Sequence, residues 1–367
     1  MAALLLACGS AGAPVLAQTA PALDEAALTA KAQAIFKEQC QRDTFSGAIL
    51  IAQGQRVVTE AVCGEASKRY HAANRIDTKF NLASIGKMFT GVAIAQLAEA
   101  GKLSYTDKIS KFIDASWLPA SVTDRITIAQ LLTHSSGLAE FLNQDRANHS
   151  SRALYRELDD LKPLLQNMGL EFEPGSRYLY SNTGYVLLGV IIQKASGQNY
   201  FDYVRQHIYQ VAGMTDSDSY ALDEPVENLA TGYNRTRGQT KYNHDTTFEG
   251  LLRGFSFGCG YSTVHDLLRF TQALQDGKLL KPATLDEIWQ NHAPKVDKKD
   301  GGYGYGFELA SSPAGRVVGH SGSFPGVIGN VDIYRDSGYV VIVLSNYRNE
   351  FPMASQLGDL LVPGKRP

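Results

Sequence analysis

Ser84 and Lys87 stand three residues apart at the start of an apolar segment that runs to Glu99. On a helix, residues with this spacing lie on one face, so the hydroxyl and the amine are predicted to be neighbours. A serine becomes a nucleophile when a base removes its proton, and a desolvated lysine can be that base. The pair therefore indicates nucleophilic catalysis. The alternative is a capping serine beside a lysine that extends to solvent.

Tyr180 and Asn182 directly precede a predicted helix over 183–196. Tyr180 is expected to serve as a second base if a nearby ammonium lowers its pKa, which is normally ~10. Asn182 is expected to bond a substrate carbonyl and the Lys87 amine. The alternative is that Ser181 or Asn182 caps the helix while Tyr180 packs in the core.

His320, Gly322 and Ser323 lie on or beside a predicted late strand. A strand edge that lines a cleft can present a backbone N–H group to a developing oxyanion. The N–H groups of Ser84 and Ser323 are the expected pair. His320 is expected to contact substrate or to share protons with the site, and the alternative is a surface histidine at a strand end.

Three motifs in this order resemble those of the serine β-lactamase and penicillin-binding-protein superfamily: Ser84-x-x-Lys87, Tyr180-x-Asn182 and His320-x-Gly322. The Tyr-x-Asn form is similar to the class C β-lactamase branch, which includes D-Ala-D-Ala carboxypeptidases, D-aminopeptidases and family VIII esterases. Segments 131–138 and 180–189 are also similar to this branch. The resemblance implies a serine hydrolase that forms an acyl-enzyme on Ser84 and cleaves a short-chain ester or a D-amino-acid-type peptide bond.

One position departs from the β-lactamase pattern, because many β-lactamases have Lys-Thr-Gly where this chain has His320-Ser321-Gly322. A lysine there offers a permanent cation to a substrate carboxylate, whereas histidine, with a pKa of ~6.5, is mostly neutral. Histidine is similar to the esterase and peptidase members. A β-lactamase, or a penicillin-binding or scaffold protein without turnover, is the alternative. His134, in the similar segment 131–138, is expected to be structural.

Composition excludes several other classes of function. The 367 residues carry a formal net charge of -2 and contain neither a long basic run nor zinc-finger spacing, which argues against a nucleic-acid partner. No Cys-x-x-Cys or His-Glu-x-x-His motif occurs, so no metal or cofactor is predicted. The expected partner is a small-molecule or peptide substrate, whose specificity is expected to depend on the loops at 140–152 and 233–253.

The first 17 residues form a short apolar run that ends in Val-Leu-Ala and predicts a signal peptide. A bacterial lipoprotein signal that ends at Cys8 is the alternative. Export to the periplasm or the medium is therefore expected, and no other segment is long enough to cross a membrane. In an exported protein Cys40 and Cys63 can form a disulfide, or they can remain two buried thiols.

Strand patterns occur near both ends of the chain and helical patterns occur between them. This order predicts an α+β fold with one antiparallel sheet built from both termini. The resemblance of the three motifs implies that this fold is of the β-lactamase/transpeptidase type. Residues 18–110 and 300–367 are expected to form the sheet-containing lobe, and 111–299 a mostly helical lobe, with the site in the crevice between them. The predicted helices are 24–43, a segment from Ser84, 127–133, 153–168, 183–196, 199–211, 263–276 and 282–291. The predicted strands are 46–52, 56–62, 304–309, 316–320, 327–334 and 339–345.

Overall fold

The computed structural model describes residues 23–143, 151–294, 301–348 and 352–362. The predicted signal segment 1–17, with its alternative lipidation site at Cys8, lies outside these residues. No helix among them combines the length and the apolar character that a membrane crossing requires.

The strands of the described residues fall near the two ends of the chain and in its third quarter. They are β1 (Gly47–Gln53), β2 (Arg56–Cys63), β3 (Glu65–Ser67), β4 (Ala72–Ala73), β5 (Phe80–Asn81), β6 (Tyr233–Arg235), β7 (Tyr242–Asp245), β8 (Tyr261–Ser262), β9 (Gly302–Tyr303), β10 (Glu308–Ser312), β11 (Gly315–Phe324), β12 (Val327–Tyr334) and β13 (Tyr339–Ser345).

The α-helices vary in length from 3 to 17 residues. They include α1 (Glu25–Gln41), α2 (Lys87–Glu99), α3 (Ala120–Thr123), α4 (Ile128–Leu132), α5 (Lys162–Leu165), α6 (Asn182–Ser196), α7 (Tyr200–Val204), α8 (Gln210–Ala212), α9 (Val264–Gln275), α10 (Pro282–Ile288) and α11 (Met353–Asp359). Short 3-10 turns cover Ala83–Gly86, Ile109–Lys111, Arg152–Leu154 and Leu158–Leu161, and a π-helical turn covers Arg205–Tyr209.

Seven strands form one antiparallel sheet in the order β2-β1-β13-β12-β11-β10-β9. Strands from the two halves of the chain are neighbours in this sheet, since β1 pairs with β13 from Gly47 opposite Ser345 to Gln53 opposite Tyr339. This sheet and the helices between its two halves confirm the predicted α+β fold. The division into two lobes at residues 110 and 300 stays a prediction.

Both faces of the sheet are covered by helices. On one face, Ile49 and Val341 join the cluster formed with α1 and α11. On the other, Leu50 and Ile342 join the larger cluster that contains α2, α6 and α9. Because central strands buried on both sides need no polar alternation, β1 and β13 read as unbroken apolar runs.

Several predicted elements have other bounds in the structure, and two are interrupted. The strand predicted over 304–309 is interrupted, because Gly306 turns the chain with a φ of +88° where it packs against Gly91 of α2. The helix predicted over 153–168 is broken into short turns, since Asp160 accepts hydrogen bonds from the backbone N–H groups of Arg156 and Glu157 at 2.8 Å. Asp160 thus stabilises a turn in competition with a continuous helix.

A disulfide joins Cys40 near the end of α1 to Cys63 at the end of β2. Of the two possibilities that the sequence left open, the structure has the disulfide. The bond attaches α1, which packs on the sheet face that contains Ile49 and Val341, to β2 at the edge of that sheet.

Candidate active site

Ser84 lies in the 3-10 turn that precedes α2, and Ala83 before it has a φ of +44°, which is uncommon for a residue other than glycine. The side chain of Asn81 accepts a hydrogen bond from the Ala83 N–H at 2.8 Å, and the Ala83 carbonyl accepts one from the N–H of Cys259 at 2.9 Å. A strained turn persists only where its surroundings determine it, and such turns cluster at functional sites.

Two glycines let neighbouring backbone approach this turn. A Cβ on Gly258 would lie 2.2 Å from the carbonyl oxygen of Ala83. A Cβ on Gly322 of β11 would lie 2.3 Å from the carbonyl oxygen of Leu82 and 3.2 Å from the nitrogen of Ser84. Gly322, a predicted site residue, therefore allows β11 to approach the turn that contains Ser84 because it has no side chain.

Lys87 is fully buried and begins α2 one turn after Ser84. Its Nζ lies 2.7 Å from Asn182 Oδ1, 2.6 Å from the Phe257 carbonyl oxygen and 3.1 Å from Ser84 Oγ. The amide and carbonyl oxygens can only accept, whereas the hydroxyl can also donate. Burial lowers the pKa of Lys87 to about 7, so near neutral pH the uncharged amine has a lone pair for the Ser84 proton.

Tyr180 lies next to Ser84, and Lys87 Nζ lies 4.9 Å from the centre of its ring. Burial raises the pKa of Tyr180 well above its usual value, and the interaction with the Ser84 hydroxyl offsets this only in part. The expectation that an ammonium lowers this pKa is therefore wrong, because desolvation of the phenolate is the larger effect. Tyr180 stays a neutral phenol in the resting site and is able to donate a proton.

Asn182 is the first residue of α6, and its amide is oriented by a carboxylate that sequence reasoning missed. Glu140 Oε2 accepts hydrogen bonds from the Asn182 backbone N–H at 2.6 Å and from its Nδ2 at 3.3 Å. With Nδ2 held in this way, Oδ1 faces Lys87. The carboxylate also lies at the positive end of α6, where an anion is stabilised. The predicted alternative of a Ser181 side-chain cap does not occur.

Ser323 lies where β11 continues beyond its pairing with β10, which ends at Gly319. The Ser321 N–H on that side donates to the Glu308 side chain at 3.1 Å instead of to a strand. Because N–H direction alternates along a strand, the Ser323 N–H points to the same side as that of Ser321, away from β12. Ser323 and Ser84 both line one cavity, which suits the predicted oxyanion pair.

The structure does not bring His320 to that cavity. Its ring is 1% exposed, Nε2 lies 2.8 Å from the Tyr303 hydroxyl, and Nδ1 lies 2.5 Å from the Ser321 carbonyl oxygen. Tyr303 in turn packs against His134, with ring centres 4.7 Å apart. His320 therefore belongs to a buried aromatic cluster, and the predicted contact with substrate is not part of this arrangement.

The cavity has a volume of about 960 Å³ and an uneven lining. The predicted site residues in its lining are Ser84, Tyr180, Asn182 and Ser323. Its apolar wall is formed by Leu142, Leu222, Phe248, Leu252, Phe257 and Phe324, and charged groups come from Arg152, Asp223, Glu249 and Arg348. Parts of both predicted specificity loops, 140–152 and 233–253, contribute to the wall, while residues 144–150 lie outside the described chain.

Substitution of Gly322 tests whether the close approach of the β11 backbone holds the turn that contains Ser84. We expect Gly322→Ala to displace the Ser84 turn, to destabilise the fold by about 1–3 kcal/mol, and to slow labelling of Ser84 by a fluorophosphonate roughly 100-fold. Gly169→Ala is the control, because a Cβ there meets nothing within 4 Å. Equal labelling of the two variants at equal stability would contradict this account.

The family model described as Beta-lactamase matches residues 26–361. Penicillin-binding protein 4* of Bacillus subtilis is 34% identical over 330 residues, which cover 86% of this chain and 71% of that protein. Esterase EstB of Burkholderia gladioli is 27% identical, over 89% of this chain and 93% of that one. The crystal structure of a penicillin-binding protein from Bacillus halodurans superposes with a TM-score of 0.80 at 27% identity, covering 93% of this chain and 100% of that one. The chain therefore belongs to the β-lactamase family, which confirms the resemblance of its three motifs to the serine β-lactamase and penicillin-binding-protein superfamily.

Proposed function

We propose that the protein is a serine hydrolase that cleaves esters or amides through an acyl-enzyme on Ser84. The observation that carries this proposal is the contact at 3.1 Å between the buried Lys87 amine and Ser84 Oγ, which lines a large cavity. An activated nucleophile needs a base within hydrogen-bond reach and a third group that orients the base. Asn182 is that third group, at 2.7 Å from Lys87 Nζ.

Acylation follows from the protonation states of Lys87 and Tyr180. Neutral Lys87 takes the Ser84 proton as Oγ attacks the carbonyl carbon, and the Ser84 and Ser323 N–H groups bind the oxyanion. Tyr180 then donates its proton to the leaving alcohol or amine as that bond breaks. The ammonium of Lys87 returns a proton to the Tyr180 oxygen, so both groups end as they began.

Deacylation uses the same base on a water molecule. Lys87 takes a proton from the water that attacks the acyl carbon, and Ser84 recovers that proton when its ester bond breaks. The products are a carboxylic acid and the free serine. No step needs an oxidant, a reductant or a further reactant.

The finer proposal concerns the substrate, for which we favour a short-chain ester or a D-amino-acid-type amide over a β-lactam. It is supported by position 320, where many β-lactamases have a lysine and this chain has a buried histidine bonded to Tyr303. The apolar wall of the cavity suits an acyl chain or an aromatic group. Arg152 and Arg348 also line the cavity, so recognition of a substrate anion needs a direct test.

We also propose that the protein is exported. The apolar run at residues 1–17 supports this proposal, and so does the Cys40–Cys63 disulfide, since disulfides persist mainly in oxidising compartments.

Removal of the nucleophile tests the proposed reaction. Ser84→Ala is expected to abolish covalent labelling by a fluorophosphonate and to lower ester hydrolysis roughly 10⁴-fold or more, because no acyl-enzyme can form. Ser151→Ala is the matched control, since Ser151 lines the same cavity. Labelling measured by intact-protein mass spectrometry should persist in this control, and labelling that persists in Ser84→Ala would refute the assignment.

The pH dependence of kcat/KM tests the base. Lys87 has to be uncharged to accept a proton, and its pKa is about 7. Activity is therefore present above pH 7 and should fall about tenfold per pH unit below it. Lys87→Arg stays charged and is expected to lose roughly 10²- to 10⁴-fold in kcat. An acid limb far from pH 7, or an active Lys87→Arg variant, would mean that another group is the base.

A substrate panel distinguishes the alternatives. We expect steady Ser84-dependent turnover of p-nitrophenyl butyrate or a D-Ala-D-Ala peptide, at a higher kcat/KM than for nitrocefin. Faster turnover of nitrocefin would identify a β-lactamase. A stoichiometric burst of p-nitrophenol without turnover would identify a penicillin-binding protein that is acylated without being a hydrolase.

A further inference from the structure

His134 is a buried histidine that the proposed reaction does not use. It lies two residues after the end of α4 and has a φ of +54°, in the left-handed region. Histidine, asparagine and aspartate enter that region more readily than most residues. The sequence indicated only a structural role, but the contacts of His134 converge on one short segment of the catalytic site.

That segment is 179–181, and His134 binds each of its three residues in turn. The His134 carbonyl oxygen accepts a hydrogen bond from the N–H of Leu179 at 2.8 Å. Its ring stacks on Tyr180, with the ring centres 4.1 Å apart and the planes at 30°. Its Nδ1 lies 3.2 Å from both the N–H nitrogen and the carbonyl oxygen of Ser181.

The segment depends on such contacts because its own backbone is irregular. Residues 176–181 precede α6 and have neither helical nor strand hydrogen bonding. The direction of the Tyr180 phenol is therefore set by what packs against its ring. His134 is buried and is itself held in the loop that follows α4, so it provides a fixed surface for that ring.

Neither asparagine nor phenylalanine would provide both contacts at this position. Asparagine tolerates the backbone and can bond Ser181, but it has no ring for Tyr180. Phenylalanine has the ring but no atom to bond Ser181. Histidine has both, although its Nε2 is buried without a hydrogen-bond partner among the described residues. A buried polar atom without a partner is rare and calls for an explanation. The stacked position on Tyr180 supplies one.

We propose that His134 is the positioning residue for Tyr180, holding the phenol against Ser84 through ring stacking and through its bond to the Ser181 backbone. This inference rests on the proposed function. Burial, and to a smaller extent Lys87, keep the pKa of His134 well below its usual value. The ring is therefore neutral wherever the enzyme works, and it acts through Tyr180 without transferring a proton itself.

Two substitutions separate the contacts of His134. His134→Asn retains the backbone conformation and a group able to bond Ser181, but removes the stacked ring. We expect the burst rate with p-nitrophenyl butyrate to fall roughly 10- to 100-fold, because displacement of a catalytic group by about 1 Å has an effect of that size. The KM and the acid limb near pH 7 should stay as in the wild type. His134→Phe retains the ring, so its burst rate should fall less than that of His134→Asn when the variant folds.

A double-mutant cycle distinguishes positioning from general support of the fold. If His134 acts through the Tyr180 hydroxyl, the factor by which His134→Asn lowers the rate of Ser84 acylation should be close to one in a Tyr180→Phe background. Residual acylation of Ser84 in both backgrounds is measurable with a fluorophosphonate. An equal decrease in the acylation rate in both backgrounds would overturn the proposal, as would an unchanged burst rate in His134→Asn. Disappearance of an ionisation from the pH profile would also overturn it.

A crystal structure of His134→Asn provides a readout that does not depend on activity. We expect the Tyr180 ring to move so that its hydroxyl no longer reaches Ser84 Oγ. An undisturbed ring would overturn the proposal. If the wild type neither hydrolyses the panel nor is labelled at Ser84, the proposed function fails. The position of Tyr180 in the variant still decides whether His134 holds the ring.

Discussion

The site depends on one unfavourable placement, the burial of the Lys87 amine. A charged ammonium in this surrounding lacks the water that would stabilise it, and its two closest partners are neutral oxygens from Asn182 and the Phe257 backbone. The Lys87 amine therefore releases its proton at a pH near 7 instead of near 10. The same burial that weakens the cation therefore produces a base at neutral pH beside Ser84.

Holding the amine in this state requires groups from distant parts of the chain to be fixed independently. Glu140 orients the Asn182 amide. Thr90, one turn after Lys87 on α2, donates to the Ser256 carbonyl oxygen at 2.6 Å and so holds the backbone next to Phe257. The two oxygens closest to Lys87 Nζ are thus held by further hydrogen bonds, on Asn182 itself and on the residue before Phe257, as a preorganised site requires.

The sequence predicted features that local pattern determines. The strands at 327–334 and 339–345 have the predicted bounds, and the three-residue spacing does place Ser84 beside Lys87. What it could not predict depends on tertiary packing. The Phe257 carbonyl is a backbone group with no side-chain signature. Glu140 is an ordinary acidic residue until the fold brings it to α6. The protonation of Tyr180 depends on how deeply its ring is buried.

The two proton-transfer groups are distinguished by opposite effects of one environment. Desolvation disfavours the charged form of each group, which lowers the pKa of the Lys87 amine and raises that of the Tyr180 phenol. In the proposed reaction the amine is therefore the base and the phenol the acid, although they lie close together and share Ser84 as a neighbour. Such a separation assigns acid and base roles without any added charge. It lasts only while both groups stay shielded from water, so the His134 ring that stacks on the partly buried Tyr180 matters to the chemistry as well as to the fold.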